Sequence, residues 1–464
     1  MRRRSVLLVL AVAAAAALPA GPASARTPLP ADRVAQTTIR GWTHAPGPPH
    51  FDRLAVTEYG PLHPRAVLVL VPGTISGRGD FTLTARELVH DLPGLAVWAV
   101  DRRSDRLEDT SVFRQALAGQ VSTQAMLDYY LGWLTGSATG PHFTPPDLAK
   151  LAFAKRWGLR VQLEDVRRVV LAAHRRAPRV LLGGHSLGAS VSAAYAAWDF
   201  HGRPGSRDLD GLVLIDGGML GTFATPDAAR TRTGLQELRR PATSPFTDLL
   251  GLNLPWVAGV FAETAAVAAR VEPTAPSILQ SFPLLPAQFK PPVPATNRAA
   301  MAYAFDEDTS PKGLALIHAR LGQLAPSGDP RDWVDGEATP IARLAETFGQ
   351  EPGNAVEWYF PTRLTIDVDA AHGLRRDAAS RLVGAREWHR RQIDVPLYAV
   401  QTSLTGGRVL RGARRLIRSS RIPAKRSVLV DAAATESHLD PLTAAPGRNR
   451  YLQTVEPFLR RMLR

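Results

Sequence analysis

The chain has no cysteine among its 464 residues. Disulfide staples, a thiol nucleophile and thiolate metal sites are therefore excluded. H-E-x-x-H, a Walker loop and G-x-G-x-x-G are all missing, so the sequence carries no motif that calls for a metal or an organic cofactor, and none is expected. Internal repeats and coiled-coil heptads are absent too. The one long apolar run, Val6–Leu18, is shorter than the ~20 residues a membrane-spanning helix needs. Arginine is plentiful and the formal charge is +14, but the basic residues are scattered, with a local cluster at Arg408–Arg421, and no nucleic-acid-binding module accompanies them. That charge reads as solubility, or as attraction to an anionic envelope or lipid surface. With 45% hydrophobic and 21% charged residues, the composition is globular and able to bury a core.

The first 25 residues read as a signal peptide. Arg2-Arg3-Arg4 is the basic region, Val6–Leu18 the apolar region, and Ala23-Ser24-Ala25 the cleavage site. Arg3-Arg4 leaves the twin-arginine route open beside the general secretory one. Cleavage removes three arginines and no acid, so the charge falls to +11. The expectation is an exported protein that depends on its core without disulfides.

The rest has a rhythm of strand, glycine loop and helix. Ala66–Val71 (AVLVLV) is a buried, parallel-type strand. Pro72-Gly73-Thr74 follows, then a helix over 82–92 and a strand over 95–100. Residues 26–53, rich in proline and small residues, read as an extended arm, and 54–59 as a first strand. Arg78-Gly79-Asp80 reads as a surface loop. Residues 104–158 interrupt the rhythm as an insertion. It resumes with a helix over 161–175, then Gly211–Ile215 as a strand ending at Asp216. Residues 219–392 form a second, longer insertion, too long for a loop. Strands at 395–400 and 427–430 and helices at 407–419 and 448–463 close the chain. The domain reading is thus 26–218 and 393–464 as two parts of one core, with 219–392 as a cap.

The most informative stretch is Arg179–Phe200. A short apolar run, Val180-Leu181-Leu182, leads into Gly184-His185-Ser186-Leu187-Gly188, and a run of small apolar residues follows. This is G-x-S-x-G between a strand and a helix. The tight turn strains the serine and lifts its hydroxyl above the sheet edge. A Cβ at Gly184 or Gly188 would collide with that turn, and the helix N-terminus beneath favours a developing negative charge.

With this elbow, the Pro72-Gly73-Thr74 loop after an earlier strand, and a late histidine between the last strand and the last helix, the chain resembles the α/β-hydrolase superfamily. The resemblance covers residues 66–103, 161–218 and 394–463. It implies a mostly parallel sheet with helices on both faces and a mainly helical cap, and a triad in the order Ser, acid, His. Ser186 is the nucleophile and His438 the base. The acid departs from the commonest pattern, because Gln401-Thr402-Ser403-Leu404-Thr405, after the strand that resumes the sheet, holds no carboxylate. Some members place the acid one strand earlier, where Asp216 stands. Asp440, Glu436 and Asp431 are competitors that sit too near His438 in sequence. His185 reads as structural. The oxyanion hole is expected from the backbone N–H groups of Leu187 and Thr74.

These residues point to a serine esterase or lipase that forms an acyl-enzyme on a small-molecule or lipid ester. Serine at the elbow argues against epoxide hydrolase and dehalogenase chemistry, which uses aspartate there. An acyltransferase and a catalytically dead binding protein on the same scaffold are the alternatives. Within the cap, Pro273–Pro294 carries Ile278, Leu279, Phe282, Leu284, Leu285 and Phe289. Phe282 and Leu285 are the candidate acyl-binding residues there, against a plain cap-core role.

Overall fold

The computed structural model describes residues 33–349, 354–385 and 388–464; the signal-peptide expectation lies outside them. Its centre is an eight-stranded sheet. In chain order the strands are β1 (Val34–Arg40), β2 (Arg53–Tyr59), β3 (Ala66–Val71), β4 (Leu95–Val100), β5 (Arg179–His185), β6 (Gly211–Ile215), β7 (Leu397–Gln401) and β8 (Val428–Asp431). Their spatial order is β1-β2-β4-β3-β5-β6-β7-β8. β2 pairs antiparallel with β1 and β4, and the other pairings are parallel. This is the α/β-hydrolase fold.

Two-residue alternation decides which helix each side chain meets. In β3, Val67, Val69 and Val71 join the core made by α2 (Leu159–Ala173) and α3 (Leu187–Ala197), through Val166, Val170 and Ala194. Ala66, Leu68 and Leu70 face the other way, toward α1 (Thr82–Asp91) and the last helix, through Leu88 and Phe458. Both faces are covered, so the strand reads as one unbroken apolar run. Each fully buried large side chain contributes about 1.5–3 kcal/mol.

The expected arm at 26–53 contains a strand that the sequence did not announce. β1 is VAQTTIR, and its side chains alternate between exposed and half-buried. An edge strand with no apolar face has no hydrophobic period to find. The cap holds the long helix α4 (Val257–Val271), several shorter helices, and an unexpected antiparallel hairpin of Gly322–Gly328 and Arg331–Asp335. The two insertions share one aromatic core. Phe113 stacks on Tyr130 at 4.0 Å, Tyr130 meets Trp358 edge-on at 5.9 Å, and Phe143 meets Trp256 at 5.0 Å. After the cap come α5 (Arg408–Arg418) and α6 (Arg450–Met462).

Candidate active site

Ser186 stands between β5 and α3 with φ 55° and ψ −122°, a strained conformation for a non-glycine residue, costing on the order of 1–3 kcal/mol. The sheet holds it there. Its backbone N–H donates to Ile215 O at 2.9 Å. A Cβ added to Gly184 would lie 2.5 Å from Val71 O and from the Gly188 carbonyl carbon, and one on Gly188 would run into Val71 O. Glycine at both positions is therefore a steric requirement.

Asp216 follows β6 with φ 41°, and His438 lies in the loop between β8 and α6. The His438 Nδ1–H donates to Asp216 Oδ2 at 2.6 Å. That assignment places the hydrogen on Nδ1, because the carboxylate accepts, and leaves Nε2 able to take up a proton. Both side chains are buried. Burial alone would push the Asp216 carboxyl up; the bonds from His438 and Thr402 outweigh it and hold the group below the usual carboxylate range. Thr402 supplies two of those bonds, its backbone N–H to Oδ1 at 2.8 Å and its hydroxyl to Oδ2. It directly follows β7, where the sequence holds no carboxylate. The strand end still serves the acid, as donor instead of as the acid itself.

The competing carboxylates are engaged elsewhere. Asp440 accepts from Ser437 N–H at 2.6 Å and from the Thr339 hydroxyl at 2.7 Å. Glu436 accepts from Arg450 N–H at 2.5 Å, and Asp431 is exposed at the end of β8. His185 packs 4.3 Å from the His438 ring, centroid to centroid. Its Nε2–H donates to His438 O at 2.8 Å, and burial lowers its pKa to about 3, so it stays neutral and fixes the base's backbone. Leu439 N–H bonds His318 O at 2.9 Å, which ties the same loop to the cap.

Thr74 and Leu187 border one cavity with Ser186. The loop bearing Thr74 is clamped by a residue that sequence reasoning missed. Arg102 donates to Pro72 O at 2.7 Å, Gly73 O at 2.8 Å and Ser76 O at 3.0 Å, and to Glu357 Oε2 of the cap at 2.6 Å. The cap strand-like segment also bonds this loop directly, through Gly77 N–H to Ala355 O at 2.8 Å and Glu357 N–H to Ile75 O at 3.1 Å. Arg78-Gly79-Asp80 is consequently buried, against the expected surface loop: the cap roofs it, and Arg78 pairs with Asp101.

A second cavity adjoins the first, sharing Thr74 and Leu316 with it. It is lined mainly by apolar side chains. Ile278, Leu279, Leu285 and Phe289 from the proline-rich segment line it, with Phe261 of α4 opposite. Phe282 does not. It stands in the cap core, edge-on to Phe261 at 5.8 Å between centroids, because the turn at 279–285 directs it away from the cavity and toward the aromatic cluster.

No family model and no curated protein matches this chain. Among solved structures, the chain is similar to a provisionally assigned lipase from Sulfolobus solfataricus, at 14% identity over 92% of this chain and 93% of that one, with a TM-score of 0.48. A thermophilic esterase from Thermogutta terrifontis gives 13% identity, coverage of 93% and 100%, and 0.38. An epoxide hydrolase from Vigna radiata gives 10%, 93% and 97%, and 0.43. At these scores the fold assignment rests on the chain's own strand order and elbow.

Proposed function

We propose that this chain is an exported serine hydrolase that cleaves carboxylic esters through an acyl-enzyme. The observation that carries the reading is the 2.6 Å His438–Asp216 bond, in a chain that also holds Ser186 strained at an elbow. His438 Nε2 takes the Ser186 proton as Oγ attacks the ester carbonyl, and Asp216 stabilises the imidazolium. The N–H groups of Leu187 and Thr74 receive the oxyanion. The imidazolium returns the proton to the leaving alcohol, and water then cleaves the acyl-enzyme by the same path. The oily cavity beyond Thr74 suits an acyl chain, each buried methylene contributing about 0.8 kcal/mol. Export rests on the N-terminal sequence pattern.

A fluorophosphonate tests this directly. Covalent label on Ser186, and a loss of ~10⁴-fold or more in kcat for Ser186→Ala, are expected. Label on another serine, or full activity in the alanine variant, sinks the assignment. p-Nitrophenyl esters should give kcat/KM rising from acetyl to octanoyl.

A further inference from the structure

Asp80 is a buried carboxyl that the triad chemistry leaves unused. It is 1% exposed, follows the oxyanion loop in the turn Arg78–Phe81, and lines the oily cavity. Its Oδ2 has no hydrogen-bond partner among the described residues. Burial pushes its carboxyl up to about 7, against the pull of the Ser76 hydroxyl and of Arg102. A buried carboxyl with one oxygen unpaired in an apolar wall is a costly feature for a fold to keep.

Three other polar side chains of that wall are satisfied from within the protein. Gln280 bonds Pro291 O, Val293 O and Ala295 N–H. Asn297 bonds Ile278 N–H and Glu272 O, and Lys290 donates to Phe282 O. Asp80 is the contrast, and its place is specific. It is tied through Ser76 to the oxyanion loop, whose Thr74 borders both cavities. Leu285, Phe289, Phe305 and Phe348 make the remainder of the wall oily. The cavity thus matches a chain that is apolar along its length and carries one hydrogen-bonding group on the side of the oxyanion loop. The positive charge of Arg102 acting on Asp80 disfavours a cation there, and a carboxyl that burial pushes toward its protonated form can donate to a hydroxyl as well as accept from one.

We propose that the preferred substrates are esters of hydroxyacyl chains, with the chain hydroxyl bound by Asp80 Oδ2. This rests on the ester-hydrolase reading and adds the substrate class to it. A site built to bond a hydroxyl rejects the analogue lacking it more strongly than an oily pocket rejects a shorter chain.

The test compares p-nitrophenyl octanoate with its 2-hydroxy and 3-hydroxy analogues. On the wild-type protein, kcat/KM should be at least about tenfold higher for one of the hydroxy esters. Asp80→Leu should reverse the order, and Asp80→Asn should keep part of the preference. Cleavage of octanoate with no gain for either hydroxy ester overturns the inference and leaves the hydrolase reading standing. A binding arm does not depend on turnover. On the Ser186→Ala protein, methyl 3-hydroxyoctanoate or methyl 2-hydroxyoctanoate should raise Tm more than methyl octanoate does. That difference should vanish when Asp80→Leu is added. Equal shifts overturn the inference even if no ester is cleaved, an outcome that would separately overturn the hydrolase reading.

Discussion

Replacing Arg102 by methionine should separate the oxyanion loop from its cap anchor. The Arg102 side chain is 2% exposed and makes four bonds, to the carbonyls of Pro72, Gly73 and Ser76 and to Glu357. It also lies 5.0 Å from the centre of the Phe360 ring. Methionine fills much of the space and bonds nothing. Glu357 would then keep only the Ser104 hydroxyl. Burial already pushes the Glu357 carboxyl up, and Arg102 is the main counterweight, so without it the carboxyl takes a proton. Breaking a buried pair from one side costs about 3–5 kcal/mol, a figure readable as a fall in the denaturation midpoint. The loop carbonyls, no longer held, let the Thr74 N–H wander. Losing one oxyanion donor costs ~10²–10³ in kcat, and that is the fall expected against p-nitrophenyl octanoate with KM little changed. The double variant Arg102→Met with Glu357→Leu makes the decisive comparison. Stability should recover, because the uncompensated carboxyl is gone, while kcat stays low. Recovery of both would refute the reasoning and make Arg102 a partner of Glu357 only. A single variant within 1 kcal/mol or so of wild-type stability would refute the energetic part.

Asp216→Asn should keep the fold and lose about 10⁴-fold in kcat, since the amide no longer holds the imidazole in the productive tautomer. Thr402→Val removes one of the donors that hold the Asp216 carboxyl low, so the acid limb of the kcat/KM profile should move up in pH, with a loss of roughly tenfold. Leu285→Trp should lower kcat/KM for octanoyl esters far more than for acetyl esters, whereas Phe282→Leu should lower Tm and leave the chain-length profile in place. Burial pushes the Glu436 carboxyl up to about 8, so the folded state binds more protons than the unfolded one between about pH 4.5 and pH 8. Its contribution is fully present below about pH 4.5 and is lost as pH rises through about 8. Denaturation midpoints at pH 5 and pH 8 should therefore differ by an amount on the order of a few kcal/mol that Glu436→Gln reduces.

What the sequence makes readable here is what repeats locally or is forced sterically. β3 through β7 are visible because burial on both faces leaves an unbroken apolar run, and Ser186 is visible because only glycine fits at positions 184 and 188. β1 escapes notice because VAQTTIR lies on the edge and owes its place to pairing with β2, from Val34 opposite Tyr59 to Arg40 opposite Arg53, and to no apolar period of its own. The supporting residues escape for a different reason. Arg102 and Glu357 are 255 positions apart, Thr402 and Asp216 are 186 apart, and nothing in either neighbourhood marks the pairing. Their chemistry exists only after the cap has returned to the sheet. The same dependence has a functional edge. The loop that holds Thr74 is bonded to the cap at 355 and 357, and the His438 loop is bonded to the cap at His318 and Thr339. A cap that loosens would therefore disturb the oxyanion hole and the base together. Perturbations of the cap core, Phe282 included, should consequently register as lost kcat as well as lost stability, whereas substitutions in the cavity wall should register in substrate preference.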